Sequence, residues 1–161
     1  MTELRDRFKL TAEERSTLDM CIMIEEKCAA LYRHFETLYG STPEVAALWR
    51  TIACEEDSHA ETFRRADRLK GVGLEFVGNC DTSPGLIQKI NGLIDSILKT
   101  KPSHTEAIAC AISLEMDLRE YYLETTLKFN DAAVEKAFID NMFQTKEHVN
   151  MLQNALDRIS N

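Results

Sequence analysis

Helix breakers limit the fold of this chain more than any other feature. Three Pro and six Gly occur in 161 residues, and they gather where helical periodicity stops. No segment sustains the period-two alternation of a strand. Thr11 and Glu14 form a capping-box start, and the helical pattern runs to about residue 39, where Gly40 ends it. "STPE" at 41–44 restarts a helix, with Thr42 as N-cap and Pro43 in the first turn, and it runs to about residue 70. The stretch 71–83 reads as irregular. A shorter amphipathic helix over about 84–100 follows, with Leu86, Ile90, Leu93, Ile94 and Ile97 on one face. Lys101-Pro102 breaks it, and Ser103 with Glu106 forms a second capping box opening a helix to about 129. "ND" at 130–131 is a brief interruption before a last helix over 131–160. The expectation is a single all-α domain over 1–161, with long helices at 12–39, 43–70, 104–129 and 131–160. Short turns make them two antiparallel pairs. The connection 71–103 is unusually long for a compact domain, and suits a crossover that lets the second and third long helices run parallel.

Composition narrows the function classes. Hydrophobic residues make up 44% and charged residues 29%, as in ordinary globular proteins. A net charge of −8 argues against a nucleic-acid or anionic-membrane partner. The charged N-terminal stretch "MTELRDRFKLTAEERS" has no apolar leader, and no window is an uninterrupted apolar span, so a cytoplasmic protein with no membrane partner is expected. Cys21, Cys28, Cys54, Cys80 and Cys110 include no CxxC pair, which excludes a zinc ribbon or rubredoxin-type iron site within the chain. They read as reduced thiols, most of them small buried hydrophobes in helices.

Several acidic side chains sit on the wrong side of their helices. Residues seven apart lie near the same azimuth. Glu25 has Leu18 and Tyr32 at those offsets, whereas its neighbour Glu26 has Asp19 and Arg33. Glu56 has Trp49 and Phe63, and His59 lies one turn further along the same face. Glu115 has Ile108 and Tyr122. In the last helix Thr145 has Phe138 and Leu152, with His148 one turn on, while Glu147 points to water. His34 and His104 lie off these stripes and are expected in solvent. Stripping water from an ionised carboxylate costs several kcal/mol, and none of the stripes offers a Lys or Arg partner. Three Glu and two His meeting in one interior therefore point to a bound cation. Carboxylate oxygen with imidazole nitrogen suits iron or manganese, with zinc also compatible. Two other readings stay open: Glu25 and Glu115 protonated and hydrogen-bonded to each other or to Tyr32 and Tyr122, and His148 as a hydrogen-bonded core histidine.

The stripes repeat. "EEKCAALY" at 25–32 and "EMDLREYY" at 115–122 both place Tyr seven residues after the inward Glu. Glu25 and Glu115 are 90 residues apart, and His59 and His148 are 89 apart. This pattern resembles the ferritin-like superfamily, and within it the rubrerythrin-like di-iron carboxylate family, whose helices one and three carry Glu and whose helices two and four carry Glu-x-x-His. The resemblance implies a four-helix bundle with a long crossover between helices two and three. It implies metal ligands Glu25, Glu56, His59, Glu115 and His148, one or two iron ions per chain, and a homodimer. It also implies peroxide- or oxygen-linked redox chemistry fed by a separate electron donor, because no rubredoxin-like module is present. "TKEH" at 145–148 departs from the pattern: Thr145 stands where the fourth helix would carry its Glu. Asn141, one turn earlier, is a candidate to fill polar space there, and Tyr32 and Tyr122 are candidates to hydrogen-bond the ligands. A metal-binding or iron-handling module without turnover, or a helical interaction protein with an empty site, are the competing expectations.

Overall fold

The computed structural model describes residues 12–69, 74–77, 83–124, 126–129, 139 and 144–160. Five helices dominate: α1 (Ala12–Leu38), α2 (Pro43–Leu69), α3 (Ser83–Lys99), α4 (His104–Glu124) and α5 (Thr145–Ser160). α1, α2, α4 and α5 fall within the four long helices expected from the sequence, and α3 lies between the pairs. Two four-residue strands, β1 (Leu74–Val77) and β2 (Thr126–Phe129), pair antiparallel, with Leu74 opposite Phe129 and Val77 opposite Thr126. The class remains all-α. Among the described residues no helix is long and apolar enough to cross a membrane.

The helix boundaries follow local chemistry. α1 stops at Leu38, and the Gly40 amide donates to the Thr37 carbonyl across the turn at 3.3 Å. α2 opens on Pro43, and the Thr42 carbonyl accepts from the Ala46 amide at 3.0 Å. The capping box at the start of α4 is reciprocal. The Ser103 amide donates to Glu106 Oε2 at 2.7 Å, and the Glu106 amide donates to Ser103 Oγ at 3.3 Å. The corresponding expectation at Thr11 and Glu14, like Cys80, lies outside the described residues and side chains.

Three boundaries differ from the sequence reading. The third long helix ends at Glu124 rather than near 129, because 126–129 extends to pair with β1. The same pairing replaces the irregular reading of 71–83 by a strand at 74–77. Four-residue strands are too short for their alternation to stand out in a sequence. The last helix begins at Thr145, with Gln144 in a turn whose carbonyl accepts from the amides of Glu147 and His148 at 2.8 and 3.1 Å. Of the expected helix over 131–143, only residue 139 is described, and it is helical.

α1 packs along α2, and α4 along α5. Cross-helix ion pairs give the first pair its direction: Glu26 with Arg64, Arg33 with Asp57, and Glu36 with Arg50. Position numbers rise on α1 as they fall on α2, so the two run antiparallel, as the short turn implied. α3 rests on α1 and α4, burying Ile90 and Ile97 and packing Leu86, Leu93 and Ile94 against the same core. Its apolar face is the one traced in the sequence.

The core is rich in aromatic side chains. Trp49 is fully buried, with its ring centroid 4.8 Å from Phe35 and 5.8 Å from Tyr32, stacked on the latter. His104 joins this cluster rather than facing solvent, 5.0 Å from Tyr39 and 6.1 Å from Trp49 between ring centroids. Burial lowers its pKa. Its position at the first residue of α4 places it against the α1–α2 turn, which a stripe analysis of α4 alone does not reveal. Cys21 and Cys28 are buried as expected, but Cys54 is exposed. Trp49→Ala should cost about 3–5 kcal/mol of stability through lost burial and the cavity left behind. Urea unfolding of wild type and variant checks this, and a difference below about 1 kcal/mol would contradict the packing described.

Candidate metal site

The site is set by helix geometry. Glu25 lies in the middle of α1 and Glu115 in the middle of α4. Glu56 and His59, three residues apart, share a face of α2. His148 sits in the first turn of α5. Their apolar neighbours at helical spacing turn all five side chains inward, to 1% exposure for Glu25, 0% for Glu56, Glu115 and His148, and 2% for His59. The contrast with Glu26, which is exposed and pairs with Arg64, follows the seven-residue rule. Among the described residues no Lys or Arg is buried with them.

The five side chains form two overlapping groups, one of Glu25, Glu56 and His59 and one of Glu56, Glu115 and His148. Within each group one ligand atom per residue lies within 4.8 Å of the others. Glu56 belongs to both and divides its oxygens between them: Oε2 is 3.0 Å from His59 Nδ1, and Oε1 is 3.1 Å from His148 Nδ1. Each imidazole also faces a second carboxylate, with Glu25 Oε2 3.7 Å from His59 Nδ1 and Glu115 Oε2 3.4 Å from His148 Nδ1. The two rings lie nearly parallel, with centroids 5.7 Å apart.

Two tyrosines brace the carboxylates crosswise. Tyr32 on α1 donates to Glu115 Oε1 on α4 at 2.5 Å, and Tyr122 on α4 donates to Glu25 Oε1 on α1. These bonds occupy the outer oxygen of each Glu. The inner atoms Glu25 Oε2, Glu56 Oε1, Glu115 Oε2 and His148 Nδ1 are buried without a hydrogen-bond partner. Buried polar atoms are rarely left so. Four orphaned ligand atoms facing one another are what a cation-binding site requires, and these groups could hold a metal ion.

The electrostatics agree. Burial, reinforced by the charge of Glu56, pushes Glu25 up to about 8. Burial opposes charge on His59, but the nearby carboxylates of Glu25 and Glu56 outweigh it and raise its pKa to about 10. Glu115 and Glu56 do the same for His148, against its burial, raising it to about 11. Without a cation, these groups hold protons to offset the concentrated negative charge. Burial, with the nearby Glu25 and Glu115, also raises Tyr122 and Tyr32 well above the usual phenol value, so both remain hydrogen-bond donors.

Thr145 is the first residue of α5. Its side chain, and the whole of Asn141, lie outside the described residues, so the expectations placed on them stand as sequence readings. One neighbour escaped the sequence reading. Glu55 Oε2 lies 2.7 Å from His148 Nε2. The signal for it was its position beside Glu56, with Leu48 and Thr62 at the seven-residue offsets, which marks the border between core and solvent faces. Cys28, one turn after Glu25, is fully buried, and burial together with Glu56, Glu25 and Glu115 keeps it a protonated thiol. Comparison with known protein families, characterised proteins and solved structures returns no match.

The raised pKa values fix a pH dependence. A group whose folded pKa exceeds its unfolded value contributes stability at low pH and loses it as pH rises through the folded value. For His59 that window runs from 6.5 to about 10, and for Glu25 from 4.5 to about 8. Chelator-treated protein should therefore melt at lower temperature at pH 9 than at pH 6, and added Co(II) should flatten the difference. Equal melting temperatures at both pH values in chelator would contradict the proton-holding site.

Proposed function

We propose that the chain is a rubrerythrin-like non-haem iron protein of the ferritin-like superfamily. In this reading α1, α2, α4 and α5 form a four-helix bundle, and the segment carrying α3 is its long crossover. Iron occupies one or both of the overlapping ligand groups. The observation that carries the reading is Glu56, whose two oxygens face two different imidazoles at 3.0 and 3.1 Å. A carboxylate so placed is suited to bridge two ions. His59 and His148 would then hold the ions through ring nitrogen, and Glu25 and Glu115 through carboxylate oxygen. The pairing of Glu115 with His148, rather than with the Glu25 group, gives each position one terminal Glu, one His and a share of Glu56.

The donor set of carboxylate oxygen and imidazole nitrogen fits iron, and also admits manganese or zinc. Iron would supply one-electron chemistry toward peroxide or oxygen. The chain's own residues hold and orient the ligands: Tyr32 and Tyr122 fix the outer oxygens of Glu115 and Glu25, so that Oε2 of each faces inward. Both tyrosines are themselves buried, which keeps water from these outer bonds. Electrons come from a separate donor, and the working form is a homodimer; both follow from the family resemblance.

Anaerobic loading with Fe(II), followed by iron analysis and peroxide consumption, tests this reading. Wild type should retain iron at one or both positions and consume peroxide with a reductant supplied. Glu56→Ala should lose that iron, because both positions share that side chain. Retained iron without peroxide consumption would favour a metal-holding module without turnover. No retained iron, or retention unaffected by Glu56→Ala, would overturn the metal-centre reading.

A further inference from the structure

The two histidines of the site are not equivalent. His59 Nε2 is buried without a hydrogen-bond partner. His148 Nε2 lies 2.7 Å from Glu55 Oε2, a contact that crosses from α5 to α2. The histidine with this additional carboxylate belongs to the helix whose Glu-x-x-His lacks its Glu. Resting on the metal-site reading above, we infer that Glu55 is a positioning carboxylate for the His148 metal position, replacing from outside the charge that position 145 does not carry.

Two properties support the role. The first is orientation. A ring N–H at Nε2 donated to Glu55 leaves Nδ1 as the free nitrogen, and Nδ1 is the atom that faces Glu56 and Glu115. A carboxylate on the far nitrogen of a ligand imidazole fixes its tautomer and raises its basicity, and loss of such a partner typically weakens metal binding about 10–100-fold. The second is charge. Glu25, Glu56 and Glu115 supply three negative charges against the four positive charges of two divalent ions. Glu55 supplies the fourth. Its side chain is 38% exposed while the imidazole it meets is buried. Glu55 thus keeps part of its hydration, and its charge costs less there than it would at a fully buried position.

The test is a Co(II) titration of the full chain, read by visible absorption and equilibrium dialysis, with circular dichroism melting to confirm folding. Wild type should take an ion at each position. E55Q should keep the ion at Glu25, Glu56 and His59 within about twofold and weaken the one at His148 by about tenfold or more. Adding T145E to E55Q should recover that position, because a carboxylate one turn before His148 replaces the missing charge; a purely structural role of Glu55 would not be rescued in this way. E55Q binding unchanged at both positions, equal losses at both, or no recovery with T145E overturns the role of Glu55 and leaves the metal centre standing. A single ion in wild type also overturns it, while leaving a metal-binding chain. No Co(II) uptake by wild type overturns the metal-site reading as well.

Discussion

Everything in the interior depends on how Glu56 is accommodated. It is fully buried, it faces two imidazoles, and no Lys or Arg is buried among the described residues to neutralise it. Two further buried carboxylates stand beside it. Desolvation makes such a cluster costly in the absence of positive charge. Protons on His59, His148 and Glu25 offset part of that cost, as their raised pKa values record. A divalent ion at the same atoms would offset it more completely, because it would also satisfy the orphaned oxygens and Nδ1. Metal binding would thus be a second response, beside proton binding, to one constraint.

The surroundings are arranged to preserve that constraint. The crosswise bonds from Tyr32 to Glu115 and from Tyr122 to Glu25 tie α1 to α4. Tyr32 is in turn stacked on Trp49, which packs on Phe35, and Tyr122 packs against Phe63 at 5.8 Å. Apolar packing therefore locks the phenols, and the phenols fix which carboxylate oxygen faces inward. Glu25 and Tyr122 mirror Glu115 and Tyr32, matching the repeated Glu-to-Tyr spacing in the sequence. The symmetry is imperfect at one position: the second helix pair has Thr145 where the first has Glu56, and Glu55 reaches the histidine of that second pair.

Much of the site was legible in the sequence because it lies on long, regular helices. The seven-residue comparison separates Glu25 from Glu26 and Glu56 from its exposed neighbour Asp57, and the structure buries the first of each pair. It places Glu115 and His148 equally well, and the phenol–carboxylate pairs were among the open readings. What the sequence hid falls into two kinds. Interactions between elements distant in sequence, such as Glu55 with His148 or His104 with Tyr39, leave no trace in the periodicity of one helix. Short strands are the other kind: the pairing of 126–129 with 74–77 ends α4 five residues earlier than its helical pattern suggests.

The most direct measurement is anomalous diffraction at the iron edge from crystals of iron-loaded protein. The account predicts scattering peaks on either side of the Glu56 carboxylate, one within coordination distance of Glu25 and His59 and the other within that of Glu115 and His148. A map with no peak there, or with iron bound only at surface carboxylates, would contradict it.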